Sequence, residues 1–141
     1  MNIVTNTVKP GPSLKTPRYK HGCARIRNDS IIVAGGLCEI CDIPGFVTST
    51  EILKIGDLTW TNGPDIKESA FENRIVMSNR KDYIALSLGG IGENDGPANH
   101  PAIYGFHQDR NEWQFLGNVN EYRYWGSIVN VPSNLIPWCY N

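Results

Sequence analysis

The 141-residue sequence has neither an excess of charge of one sign nor a long apolar run. Thirteen Lys and Arg oppose fourteen Asp and Glu, and the net charge of −1 offers no electrostatic footprint for nucleic acid or an anionic membrane. The longest apolar stretch, residues 31–34, is far below the roughly 18 residues of a membrane span. Residues 1–15 lack the apolar core of a signal peptide. As written, the sequence predicts a cytoplasmic protein that binds neither nucleic acid nor a membrane.

Cysteine is too scarce to form a recognisable zinc site. Cys38 and Cys41 have the C-x-x-C spacing, but neither a second pair nor a pair of histidines follows them, as a zinc site requires. The pair also follows a predicted strand, whereas a thioredoxin-type redox pair opens a helix. Two states of this pair therefore remain possible: a local disulfide in an oxidising compartment, or free thiols in a reducing one. The redox state of Cys23 and Cys139 is equally undetermined by the sequence.

The sequence also lacks a pattern typical of catalysis or of cofactor binding. Its three histidines, His21, His100 and His107, have no metal-ligand spacing. No Ser/His/Asp order, paired carboxylates or phosphate-binding loop can be singled out. We therefore expect no enzyme, no catalytic residues, no cofactor and no metal.

Glycine and proline are abundant instead, with 14 and 9 residues, which indicates many short elements joined by turns. The glycines and tryptophans recur with a period of 53 to 54 residues. Such a period indicates a repeat architecture. The recurring markers are Gly35 and Gly36 with Gly89 and Gly90, and Trp60 with Trp113.

Each period predicts four short strands, because runs of β-branched and aromatic residues alternate with turn residues. The expected strands span residues 22–26, 31–34, 50–55 and 59–62 in the first period, and 74–78, 83–88, 102–107 and 113–116 in the second. A strand at about residues 5–12 would end an earlier unit, and residues 127–131 would open a later one. The fold class expected from this pattern is all-β.

The pattern resembles the kelch repeat, whose period of about 50 residues builds the four-stranded blades of a β-propeller. The resemblance rests on the recurring markers and on Arg18, His21 and Gly22 at the start of a unit. The sequence departs from the family where Ala70 replaces the opening Arg and where no diglycine follows residue 131. The resemblance implies a kelch-type propeller fragment with the last strand of a preceding blade in residues 1–16, complete blades in 17–68 and 69–121, and a further partial blade in 122–141.

About 2.7 repeats are too few to close a propeller, which needs four to eight blades. We therefore expect a truncated or split propeller, or a ring completed by identical chains, with self-association through open blade edges. The recurring glycines and tryptophans are interpreted as structural. Glycine would let inner strands approach one another at the axis, and tryptophan would fill the widening gap between blades.

The expected binding face is the end of the sheets that collects the loops between second and third strands and the connections between blades. The resemblance implies that a protein or peptide partner binds there, through a rim of mixed polar and aromatic side chains. The candidate contact residues are Arg18, Glu39, Asp42, Phe46, Lys67, Glu93, Asp95, His100, Arg123 and Trp125. For Arg18 and Arg123 a structural role at the start of an inner strand is an equal alternative.

Two other functions follow from the same resemblance: the substrate-receptor or scaffold part of an intracellular ubiquitin-ligase adaptor, and a fragment of a copper oxidase of the galactose oxidase kind. An extracellular location is the alternative to a cytoplasmic one, if a missing N-terminal part carries a signal peptide. Residues 131–139 resemble the C-terminal end of secreted invertebrate kelch proteins, and Asn28, Asp29 and Ser30 form an N-glycosylation sequon.

Overall fold

A computed structural model of the chain describes residues 8–27, 29–42, 44–67, 70–71, 73–78, 82–92 and 102–120. All of the elements in these ranges are β-strands, and all of their pairings are antiparallel. The all-β class predicted from the sequence is therefore confirmed for this part of the chain. It contains no helix that is long and apolar enough to cross a membrane.

The first sheet is a meander of four strands in the order β1-β2-β5-β6. One of its two central strands, β2, is the β-branched run that the sequence predicts to be buried, and Ile32, Val33 and Ala34 are all nearly inaccessible to solvent. A small hairpin, β3-β4, interrupts the loop between β2 and β5. The strands are β1 Gly22–Ile26, β2 Ser30–Ala34, β3 Leu37–Cys38, β4 Gly45–Phe46, β5 Thr50–Lys54 and β6 Thr61–Asn62.

The second sheet repeats this meander, with the strand order β12-β11-β9-β8. A separate short pair, β7 with β10, corresponds to an isolated bridge between Tyr19 and Leu37 beside the small hairpin of the first unit. The strands are β7 Ala70–Phe71, β8 Arg74–Met77, β9 Tyr83–Leu88, β10 Ile91–Gly92, β11 Ala102–His107 and β12 Glu112–Asn118. The eight main strands thus lie within a few residues of their predicted positions.

The ends of the sequence are less fully described. Residues 8–12, at which a last strand of an earlier unit was predicted, form no strand. Residues 1–7 and 121–141 lie outside the described part of the chain, and with them the predicted strand at residues 127–131.

The hydrophobic core lies between the two sheets. There the first main strands of the two units, β1 and β8, run beside one another. A Cβ on Gly22 would lie 2.6 Å from Cγ1 of Ile75, so the absence of a side chain in β1 permits the approach of β8. Trp113 donates its indole N–H to Oγ1 of Thr50 at 3.0 Å and so connects the sheets. The core side chains are Ile26, Ile32, Ala34 and Ile66 from the first unit and Ile75, Ala85, Tyr104, Phe106 and Trp113 from the second.

The first sheet carries a segment that precedes it in the chain, residues 12–18, on the face that points away from the second sheet. Glu51, which alternates with the inward-facing Thr50, accepts hydrogen bonds from the backbone N–H groups of Lys15 and Thr16 at 2.7 and 3.0 Å. Trp60 donates its indole N–H to the carbonyl of Pro12 at 3.0 Å. Both tryptophans of the repeat are therefore buried, and each is hydrogen-bonded to a chain segment that precedes its own unit.

The two diglycines adopt nearly the same backbone, with φ values of 72° and 98° at Gly35 and Gly36 and of 68° and 109° at Gly89 and Gly90. Left-handed φ values of this kind favour glycine. A Cβ on Gly36 would also lie 2.6 Å from the carbonyl oxygen of Tyr19. The diglycine is thus required by its turn and by the neighbouring segment, while the close approach of β1 to β8 occurs at Gly22.

Candidate functional site

Three segments meet at one end of the first sheet, which we call the loop end: residues 17–21, 35–49 and 63–67. Tyr19 and Leu37 exchange both backbone hydrogen bonds at 2.9 Å, and Val47 donates to Gly36 at 2.9 Å. Ile66 donates to the carbonyl of Thr48 at 3.0 Å. At the opposite end, which we call the turn end, β5 leads into a tight turn at residues 55–59. The loop end is therefore the broader surface.

Tyr19, Leu37 and Phe46 lie side by side at the loop end, because Tyr19 pairs with Leu37 and Leu37 pairs with Phe46. Directly paired residues share one face of a sheet. Since both polar backbone groups of Leu37 are bonded to Tyr19, its pair with Phe46 is of the non-hydrogen-bonded type, which brings side chains closest. These three residues form what we call the loop-end stripe, and none of them is buried.

The second unit repeats the backbone of this arrangement. Phe71 pairs with Ile91 just as Tyr19 pairs with Leu37, and in each pair the second residue directly follows the diglycine. An aromatic and an aliphatic residue thus occupy equivalent positions at the same end of both units. Pairs of two residues are too short to give a periodic pattern, so the sequence did not predict them; the spacing of 52 residues between Tyr19 and Phe71 was the available signal.

A disulfide between Cys38 and Cys41 closes the loop beside the stripe, with a Cα–Cα distance of 5.8 Å. Of the two possibilities that the sequence leaves open for this pair, the structure contains the disulfide. The four residues 38–41 form a tip on which the Ile40 side chain is 81% exposed. Cys23 is a free thiol, and Cys139 lies outside the described residues.

The Tyr19 hydroxyl donates a hydrogen bond of 2.6 Å to Oε1 of Glu39, the second residue of the tip. This hydrogen bond is the main cause that raises the pKa of Tyr19 above its ordinary value of 10.0, because it is lost when the hydroxyl ionises. The contact joins the stripe to the tip and holds a carboxylate at the edge of the apolar surface.

Arg18, for which the sequence left open both a partner contact and a structural role, is directed into the protein. Its guanidinium donates to the carbonyls of Gly35 at 3.1 Å and Ser49 at 2.6 Å, and it forms an ion pair with Glu51 at 2.9 Å. The side-chain exposure of Arg18 is 0% and that of Glu51 is 2%. Burial lowers the pKa of Arg18, and the bond to Glu51 opposes this effect. Arg18 therefore stabilises the loop end from within and offers no surface to a ligand.

The other predicted contact residues divide into two groups. Glu39, Asp42 and Lys67 are exposed at the loop end, and Phe46 is partly exposed as a member of the stripe. Glu93, Asp95, His100, Arg123 and Trp125 lie outside the described residues.

Two buried polar atoms, Nδ1 of His21 and Oδ1 of Asn73, have no hydrogen-bond partner in the described part of the chain. The two residues are 52 positions apart, and each directly precedes the first main strand of its unit, His21 before β1 and Asn73 before β8. Burial lowers the pKa of His21, and the positive charge of Arg18 lowers it further. In the described ranges no group of three or more His, Cys, Asp or Glu side chains is arranged to hold a metal ion.

No family model matches this sequence, and a comparison with curated proteins likewise finds no match.

Proposed function

We propose that the chain is part of a kelch-type β-propeller and serves as a non-enzymatic interaction module that binds a protein or peptide partner at the loop end. The observation that carries this proposal is the recurrence of one arrangement in both units. In each unit a left-handed diglycine turn leads to an aliphatic residue that pairs with an aromatic residue ahead of the first strand.

The physical reason to prefer the loop end is that its loops are long and that two firmly packed sheets support them. Binding residues concentrate on loops held by a rigid scaffold. The loop-end stripe adds partly exposed aromatic rings, which are enriched in protein interfaces. The disulfide favours an oxidising compartment, so we propose an extracellular location ahead of an intracellular adaptor role.

The test is a selection of binding peptides on the full chain from a random phage-displayed library. Hydrogen exchange of the amides, measured with and without a selected synthetic peptide, then locates the bound segment. We expect slower exchange in residues 37–48 and unchanged exchange in residues 55–59. Protection at the turn end, or a library that yields no saturable binder, would refute the proposal.

A further inference from the structure

We propose that the loop-end stripe and the adjacent tip together bind a partner segment in which an apolar side chain lies next to a lysine or arginine. This inference rests on the proposed function and adds the chemistry of the partner to it. The surface consists of Tyr19, Leu37 and Phe46 in the stripe, Glu39 and Ile40 at the tip, and Asp42 directly after the tip.

The apolar half of the recognition comes from a row of side chains that the fold leaves accessible. Tyr19 is 40% exposed and Ile40 is 81% exposed, while the aliphatic and aromatic members of the core between the sheets are less than 10% exposed. The two short strands β3 and β4 and the bridged residue Tyr19 present the stripe as one surface, whereas apolar residues scattered singly would offer no such area. An apolar side chain of a partner can cover it.

The charged half comes from two carboxylates beside this row. Glu39 accepts the Tyr19 hydroxyl with Oε1, and a carboxylate has a second oxygen, Oε2, that can accept from another donor. Asp42 is exposed one residue beyond the disulfide. In the described part of the chain neither carboxylate forms an ion pair with a lysine or arginine. A cationic side chain of the partner therefore complements this edge better than an anionic one.

The tip is held in place before binding. The disulfide joins Cys38 in β3 to Cys41, and Cys38 itself pairs with Gly45. Ordering a loop on binding costs conformational entropy, and a loop that is already constrained avoids much of this cost. Ile40 is thus presented by a tip of restricted conformation, which favours a defined contact over nonspecific adhesion.

The turn end supplies matched controls, because it carries the same types of side chain without the stripe. Leu58 is 88% exposed there, and Asp57 is an exposed carboxylate next to it. Peptides selected on the full chain are synthesised with a fluorescent label, and their affinities are measured by polarisation at low and moderate salt. The variants are Glu39→Gln with Asp42→Asn, Ile40→Ala, and the controls Asp57→Asn and Leu58→Ala.

We expect selected peptides to contain Lys or Arg next to an aliphatic or aromatic residue. The double variant should weaken binding about threefold to tenfold at low salt, because an exposed charge pair contributes only a modest binding free energy. It should also remove most of the salt dependence of binding, because dissolved ions screen exposed charges. Ile40→Ala should weaken binding by about tenfold through lost apolar contact. Both controls should leave affinity and salt dependence unchanged.

Two other results would overturn the inference in different ways. The first is a set of peptides that slow exchange in residues 37–48 but contain no basic residue and bind the double variant with unchanged affinity. This result would refute the partner chemistry and leave the proposed function standing. Peptides that protect the turn end, or that respond to the controls as strongly as to the tip variants, would refute both.

Discussion

Glu51 is an anion that the fold removes from water and surrounds with donors. It accepts hydrogen bonds from Arg18 and from the backbone N–H groups of Lys15 and Thr16. Removing one charge of a buried pair leaves the other without compensation, at a cost of about 3 to 5 kcal/mol. We expect Glu51→Gln to lower the free energy of unfolding by about 3 kcal/mol, measured by urea denaturation.

An exposed pair provides the control for this prediction. Arg110 and Glu112 approach at 3.6 Å with side-chain exposures of 63% and 50%. Glu112→Gln should change the stability by less than about 0.5 kcal/mol. The second unit has Ala70 and Tyr104 at the positions that correspond to Arg18 and Glu51, so a unit of this kind folds without the pair. Equal effects of the two substitutions would contradict the assignment of Glu51 to a buried network.

The buried side chain of His21 makes the stability of the fold depend on pH. Its pKa lies below the ordinary 6.5 in the folded protein, mainly because burial disfavours the charged imidazolium. The unfolded chain therefore takes up this proton first as the pH falls, and the contribution of neutral His21 to stability, complete above pH 6.5, is lost on acidification through and below that value.

The corresponding variant is His21→Asn, because asparagine stands at the equivalent position 73 of the second unit. Thermal unfolding at a series of pH values from about 7.5 to 5 should show a shallower loss of stability in the variant than in the natural sequence. The other histidines are present in both proteins, so the difference isolates His21. Parallel curves would contradict the prediction.

At the scale of the element, a comparison of Gly36 with Gly56 separates two reasons why a turn requires glycine: a left-handed backbone and a lack of space for a Cβ atom. Their φ values are nearly equal, 98° and 103°. A Cβ would lie 2.6 Å from a backbone oxygen at Gly36, whereas nothing lies within 4 Å of it at Gly56. Gly56→Ala should cost about 1 kcal/mol through backbone strain, and Gly36→Ala should cost at least about 1 kcal/mol more through the clash.

Chemical denaturation of both variants checks this difference, and Gly11→Ala, in open space, serves as the neutral control. If Gly36→Ala were no more destabilising than Gly56→Ala, the segment around Tyr19 would have to move freely away from the diglycine. The contact that joins the loop-end stripe would then be weaker than its two backbone hydrogen bonds indicate.

The elements also show what sequence patterns can and cannot predict. Strands of four or more residues, such as β2 and β9, contain enough β-branched and alternating residues to be located from the sequence. The two-residue strands β3 and β7 are set by backbone pairing alone, which leaves no periodic signal. For the same reason the stripe was missed except for Phe46. The exposed acidic residues of the tip were predicted correctly as surface residues, because long loops with polar residues face solvent.

For Arg18 the sequence left two roles open, a contact with a partner and a structural role at the start of a strand. A charged residue at the start of a repeat can contact a ligand or neutralise a buried carboxylate, and the two roles give the same sequence pattern. Which one applies depends on Glu51, 33 residues away, and on the carbonyls of a loop that only the folded backbone brings to it. Tertiary contacts of this kind lie beyond local periodicity.

At the scale of the whole molecule, the two sheets differ in how their outward faces are covered. Residues 12–18 bind the outward face of the first sheet through Glu51 and Trp60. On the second sheet, Ala85 and Phe106 point to the core and are buried, while Leu86 and Val76 alternate to the other face and are only partly buried. An apolar sheet face of this kind favours association with another sheet.

We therefore expect the chain to self-associate through the outward face of the second sheet, and sedimentation velocity should show a concentration-dependent increase in average mass. Leu86→Lys should shift the distribution toward monomer by placing a charge on this face, whereas Ile55→Lys, at the turn end, should not. Far-UV circular dichroism of both variants separates lost association from lost folding. A natural chain that stays monomeric at every concentration would refute the prediction. If the Leu86→Lys variant associated as strongly as the natural chain, the contact would lie on another face. A charge buried in an apolar interface carries a cost of several kcal/mol, so it could not leave an interface at Leu86 unchanged.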